Sequence, residues 1–147
     1  MSEQLYFEDI KIGNEIQTLA KFPTTRQLVM WAGASNDYTP IHYDKDYARS
    51  RGLANVVVHG HLTFSFLGQL VTDWIGAEGK LTKLTCRYKG MNFPGDSLIC
   101  KGKVVNKLID EGKNCVECSI WVENGKGEVT ASGTAIVILP SRDCESA

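Results

Sequence analysis

The chain has 147 residues, 43% of them hydrophobic, with 16 Lys plus Arg against 17 Asp plus Glu and a net charge of −1. One domain of this length buries about 68 to 70% of its unfolded surface, so neither metal nor disulfide is needed to hold it. The charge balance excludes a general attraction to nucleic acid or anionic membrane. No apolar run approaches the ~20 residues of a membrane span, and the opening MSEQLYFEDI lacks a leader-like basic or apolar region, so a cytoplasmic protein is expected.

Phe7, Ile10 and Ile12 precede a Gly13-Asn14 turn signal and a first strand over residues 15–22. Thr24 stands where a helix N-cap belongs, with Gln27 three residues on to complete a capping box. Leu28, Val29, Trp31 and Ala32 give that helix one apolar face as far as Ser35. Asp44 is the expected N-cap of a short helix over 45–51, stopped by Gly52. From Gly60 to Ile75 the chain is apolar almost all round, and at about 100° per residue Ser65, Gln69, Thr72 and Asp73 share only about 100° of arc. This helix should be buried.

After residues 76–79 the period changes to two. Leu84, Cys86 and Tyr88 alternate with Lys83, Arg87 and Lys89, and a turn follows at 93–96. Leu98, Cys100, Gly102 and Val104 line one face of a long strand, and 110–114 closes a hairpin. Val116, Cys118, Ile120 and Val122 line the next strand; beyond Asn124-Gly125, Val129, Ala131, Gly133, Ala135 and Val137 line the last, whose small residues would admit a helix closely. Helices first and a meander after imply an α+β domain over 1–147, its antiparallel sheet carrying the helices on one face and residues 140–147 forming a loose tail.

The segment 36–61 gathers Asp37 and all three histidines, His42, His59 and His61. Pro40 bars a regular helix between Asp37 and His42 and favours an extended Thr39, so a kinked loop can turn both side chains toward one point. A carboxylate and an imidazole converging on one water can give and take protons there. Spacing alone favours the plainer reading of a turn-forming Asp beside a half-buried His. Five cysteines without a secretory signal argue for reduced thiols. Cys115 and Cys118 lie three apart on a strand, pointing to opposite faces, with no second pair to complete a zinc site.

Two blocks, Asn36-Asp37-Tyr38-Thr39-Pro40-Ile41-His42-Tyr43-Asp44 and His59-Gly60-His61-Leu62-Thr63, resemble the hydratase motif of the MaoC-like dehydratases, the (R)-specific enoyl-CoA hydratase group of the hot-dog superfamily. The family pattern runs Gly/Ser-Asp-x-Asn-Pro-Ile/Leu-His-x-Asp, then His-Gly-Met/Leu-x-Thr. Thr39 departs from it in place of Asn, and His61 in place of Met or Leu. The resemblance implies one long helix wrapped by a curved antiparallel sheet. It also implies reversible hydration of trans-2-enoyl thioesters to (3R)-3-hydroxyacyl thioesters, carried by coenzyme A or acyl carrier protein, with Asp37 and His42 as the acid/base pair.

Gly60 opens the buried helix, where free N–H groups favour an oxyanion, and the missing side chain lets a thioester approach. Thr39 and His59 are grouped with it as substrate-binding positions by the same resemblance. No cofactor is implied, and a metal on His42, His59 and His61 is not expected, because the motif already employs His42. A homodimer or higher homo-oligomer is expected, since the family pairs its sheets edge to edge. The rival class is a hot-dog thioesterase or an acyl-thioester-binding protein without turnover.

Overall fold

The computed structural model describes residues 3–144. Among them, five strands form one antiparallel sheet: β1 (Glu15–Lys21), β2 (Lys80–Tyr88), β3 (Leu98–Asp110), β4 (Lys113–Glu123) and β5 (Val129–Ile138). Their order is β1-β3-β4-β5-β2. Helices α1 (Thr25–Ser35), α2 (Lys45–Ser50) and α3 (Gly60–Ile75) all fall between β1 and β2 in the chain.

Helix α3 is the axis of the fold. Leu62, Phe66, Leu67, Leu70, Val71 and Ile75 are buried on it, whereas His61, Ser65, Gln69, Thr72 and Asp73 form one exposed stripe. The buried set joins a single cluster with Leu98, Cys100 and Val104 of β3, Val116, Cys118, Ile120 and Val122 of β4, and Ala131, Ala135 and Val137 of β5. Each large aliphatic side chain so removed from water contributes about 1.5–3 kcal/mol, and the sum seats the helix in the sheet. Register shifts at Ile16/Leu19, Leu81/Lys83, Val104/Asn106 and Val122/Glu123 interrupt every ladder. Such irregularities bend strands and increase twist, which curves the sheet around α3.

Both N-caps form as expected, but the capping box is half made: no reciprocal bond from the Gln27 side chain to Thr24 N–H occurs among the described residues. Thr24 Oγ1 accepts the Gln27 N–H at 3.1 Å and Asp44 Oδ1 accepts the Tyr47 N–H at 3.0 Å. Several expectations are corrected. Val29 is exposed, and α1 rests on Leu28 and Ala32 with Trp31 half-buried. The meander covers β3 to β5 only; β2 crosses to the far side and pairs with β5. Val129 is exposed. Gly133 makes room for a neighbouring strand rather than a helix, since a Cβ there would overlap Thr85 O of β2. Residues 140–144 are not loose: Phe7 N–H donates to Pro140 O at 2.9 Å, and Arg142 pairs with Asp9 at 2.7 Å. Residues 145–147 lie outside the described part.

Candidate active site

The loop from α1 to α3 is ordered by its own backbone. Asn36 ends α1 in the left-handed region at φ 58°, turning the chain so that Asp37 leaves the helix. Thr39 is extended before Pro40, as the proline ring demands. Pro40–His42 is a 3-10 turn whose Pro40 carbonyl accepts the N–H groups of Tyr43 and Asp44. Val56, Val57 and Val58 then run buried through the fold. Val57 N–H donates to Ile41 O at 2.9 Å and Val58 N–H to Asn92 O at 2.8 Å, tying the loop to the 3-10 turn on one side and to the segment after β2 on the other.

Asp37 and His42 converge, with Oδ2 and Nε2 3.8 Å apart. The second polar atom of each is already occupied. Asp37 Oδ1 accepts the Thr39 hydroxyl at 2.6 Å and the Thr39 N–H at 3.2 Å. That hydroxyl first, helped by the backbone N–H and the facing histidines, holds the Asp37 carboxyl below its ordinary value against the opposing effect of burial. Thr39 therefore spends its proton on Asp37, which answers what its hydroxyl does in place of the family's Asn. His42 Nδ1 lies 2.6 Å from Val57 O. A carbonyl can only accept, so Nδ1 carries the proton, and in the neutral ring the lone pair sits at Nε2, facing Asp37.

His59 is completely buried, and its ring stacks on His42 at 3.8 Å between centroids and 18° between planes. Its Nε2 lies 3.3 Å from the Asp37 carbonyl, leaving Nδ1 buried without a partner. Burial first, then the neighbouring His42, pushes its imidazole below the ordinary value, so His59 is a neutral strut beneath His42. The side chain, expected among the substrate-binding positions, has no exposed surface in this structure.

Among the described residues Asp37, His42 and His59 form the one group close enough to share a cation, and His61 is not in it. Stacked rings hold their in-plane lone pairs in two nearly parallel, separated planes, where they do not converge on one ion, and the Nε2 proton of His59 already points at a carbonyl. That arrangement does not fit a tetrahedral ion.

Gly60 follows as the first residue of α3. The His59 carbonyl takes the N–H groups of Leu62 and Thr63, while those of Gly60 and His61 have no partner among the described residues. The space that a Gly60 Cβ would need is filled by the Tyr88 ring, whose Cζ would lie 3.0 Å away. The glycine thus accommodates Tyr88 as well as leaving the helix end open. A cavity of ≈ 170 Å³ adjoins His42 and Gly60, and is walled by Val57, Val58, Thr63, Tyr88, Met91 and Asn92. A larger cleft of ≈ 440 Å³ beside Leu19, Leu70 and Trp74 holds none of these groups. Sequence reasoning missed Val57, Tyr88 and Asn92; Val57 acts through a carbonyl, which every residue has.

The buried thiols are passive. Cys100 and Cys118 are pushed up to about 12 by burial, so neither supplies a thiolate near neutral pH.

Residues 8–125 match the family described as the MaoC like domain. The chain is 28% identical over 141 residues to an (R)-specific enoyl-CoA hydratase of Rhodospirillum rubrum, covering 93% of each. It is 23% identical over 135 residues to a mitochondrial 3-hydroxyacyl-[acyl-carrier-protein] dehydratase of Arabidopsis thaliana, covering 91% of this chain and 80% of that one. Its backbone superposes on the unliganded R-hydratase PhaJ1 of Pseudomonas aeruginosa with a TM-score of 0.86 at 24% identity, covering 95% and 88% of the two chains. The fold is the hot-dog fold, and the chain belongs to the MaoC-like dehydratase family.

Proposed function

We propose that this protein is a hydro-lyase that adds water reversibly to trans-2-enoyl thioesters, giving (3R)-3-hydroxyacyl thioesters, with Asp37 and His42 as its acid/base pair. One observation carries the reading. Asp37 Oδ2 and His42 Nε2 stand 3.8 Å apart, each anchored through its other polar atom, beside the free N–H groups that open α3.

A water donating to both atoms at about 2.8 Å spans that gap and turns its lone pairs toward the cavity. As its oxygen bonds to C3, its proton passes to His42 Nε2, and the alkene electron pair moves toward the thioester oxygen. Gly60 N–H faces that developing charge at the positive end of α3. Asp37, kept ionised by Thr39, orients the water and stabilises the imidazolium. The proton returned to C2 completes the addition, leaving thioester and catalyst intact. The (3R) outcome is supported by the (R)-specific relatives.

The substrate is an acyl-CoA or acyl carrier protein thioester, and residues 1–147 act as a single such domain. Among the described residues, β1 and β2 each have a neighbour on one side only. That supports pairing of two copies into a homodimer, which light scattering at micromolar concentration would detect; a stable monomer would oppose it. Among the described residues, no helix is long and apolar enough to cross a membrane.

The deciding experiment incubates the protein with crotonyl-CoA and follows the conjugated enoyl absorbance alongside free thiol. Loss of absorbance without thiol, and a 3R product on chiral analysis, is the expected result. Thiol release would make the protein a thioesterase, and silence of both signals across chain lengths and carriers would leave a binding protein.

A further inference from the structure

Asn92 is out of place in the cavity beside Gly60. Only 5% of its surface is exposed, and its side-chain oxygen is buried with no hydrogen-bond partner. Its backbone carbonyl, which accepts Val58 N–H, explains the position of the chain here but makes no use of the amide. Buried polar atoms nearly always find a partner; the Asn92 amide makes no side-chain hydrogen bond among the described residues, and the residue lines the cavity, so a turn about χ2 would offer its oxygen to a group that arrives there.

Burial around the cavity also gives it a direction. Val58, Thr63 and Asn92 line it with buried side chains and Tyr88 and Met91 with side chains 47% and 55% exposed in the single chain, so we take the first set as its floor and the second as its mouth. A thioester substrate has one free end, because the other continues into a carrier arm that must reach solvent. The floor therefore receives the acyl end. Its ≈ 170 Å³ is close to a cavity of about 150 Å³ that takes the six carbons of benzene, so the acyl chain it holds is short.

Resting on the hydratase reading above, we propose that Asn92 selects short 2-enoyl thioesters whose acyl chain ends in a hydroxyl over those ending in a methyl. A primary amide offers both a donor and an acceptor, and rotation about χ2 exchanges the end that faces the cavity. A hydroxyl can satisfy either end. An alkyl terminus would expel water from the floor and leave the amide unpaired, and sites built to hydrogen-bond a substrate group discriminate strongly against analogues that lack it.

The test compares kcat/KM within two isosteric pairs of CoA thioesters: 5-hydroxypent-2-enoyl against hex-2-enoyl, and 4-hydroxybut-2-enoyl against pent-2-enoyl. Both members of a pair carry the same pantetheine arm, so contacts with that arm cancel in the ratio. The wild-type protein is expected to favour the hydroxylated member of at least one pair by about tenfold or more, and Asn92→Val to erase that preference. Ratios near one in both pairs, a preference for the alkyl member, or a preference that survives Asn92→Val would each overturn the proposal. Should that variant not fold, Asn92→Thr, which keeps a hydroxyl, must retain part of the preference. If no enoyl thioester is hydrated at all, the hydratase reading falls by itself. Calorimetric affinities of 5-hydroxypentanoyl-CoA and hexanoyl-CoA then decide the role of Asn92 on the same criterion.

Discussion

Two regions in contact with each other, the α3 core and the loop spanning residues 36–59, are stabilised in opposite ways. In the core, Leu67, Val71, Ile120 and their neighbours need only to be out of water, and any well-packed apolar side chain of the right volume would serve. In the loop, each functional atom has one directional partner: Thr39 for Asp37 Oδ1, the Val57 carbonyl for His42 Nδ1, the Asp37 carbonyl for His59 Nε2. Two buried polar atoms without partners also border the site, His59 Nδ1 in the loop and Asn92 Oδ1 in the segment after β2. Stability is carried by a redundant region, and chemistry by one without spares. Changes in the loop should therefore damage turnover far more than folding, and changes in the core the reverse.

The largest effect should come from the converging pair. Asp37→Asn keeps an acceptor for Thr39 but removes the charge facing His42, and turnover of crotonyl-CoA should fall by about 10² to 10⁴ with little change in melting temperature. His42→Ala should fall within the same span. Because both groups act on one water, the double variant should lose much less than the product of the single losses. Near-full turnover by either single variant would break the comparison at its functional end.

At the structural end, Leu67 is fully buried on α3. Leu67→Ala should cost about 2–5 kcal/mol by chemical denaturation, a transfer loss plus a cavity, while kcat per folded molecule stays close to wild type. A variant that keeps its stability but loses turnover would mean that the helix packing tunes the site directly.

What could be read in the sequence follows the same division. The bounds of α3, the caps at Thr24 and Asp44, and the inward sets of β3 and β4 were legible because periodicity and capping are local signals. The pairing of β2 with β5 was not, since alternation marks a strand without naming its neighbour. Asp37, His42 and Gly60 stood out through residue type and motif. The stack of His59 on His42, the lock on the His42 tautomer and the unpartnered Asn92 could not be foreseen. Each depends on chain segments brought together by the fold, and one of them on a carbonyl that no residue type announces.

The smallest effect would sharpen the comparison most, because it separates the support of a catalytic group from the group itself. Thr39→Val preserves shape and the backbone N–H while deleting the hydroxyl that holds the Asp37 carboxyl below its ordinary value. A carboxyl depressed in the folded state stabilises it above the unfolded value, about 3.9, and that contribution is lost as pH falls through the lower folded value. The variant should thus be less stable than wild type at pH 7, by at most about 1 kcal/mol since the Asp37 side chain is 39% exposed and screened by solvent. The gap should close as pH drops below about 4. Melting temperatures measured across that range, with the Asp37 carboxyl followed by NMR, would check both parts: the carboxyl should titrate higher in the variant. A stability gap that widens in acid would mean that Thr39 supports the loop by packing rather than by holding the Asp37 charge, and the ionised Asp37 on which the water geometry depends would need another source.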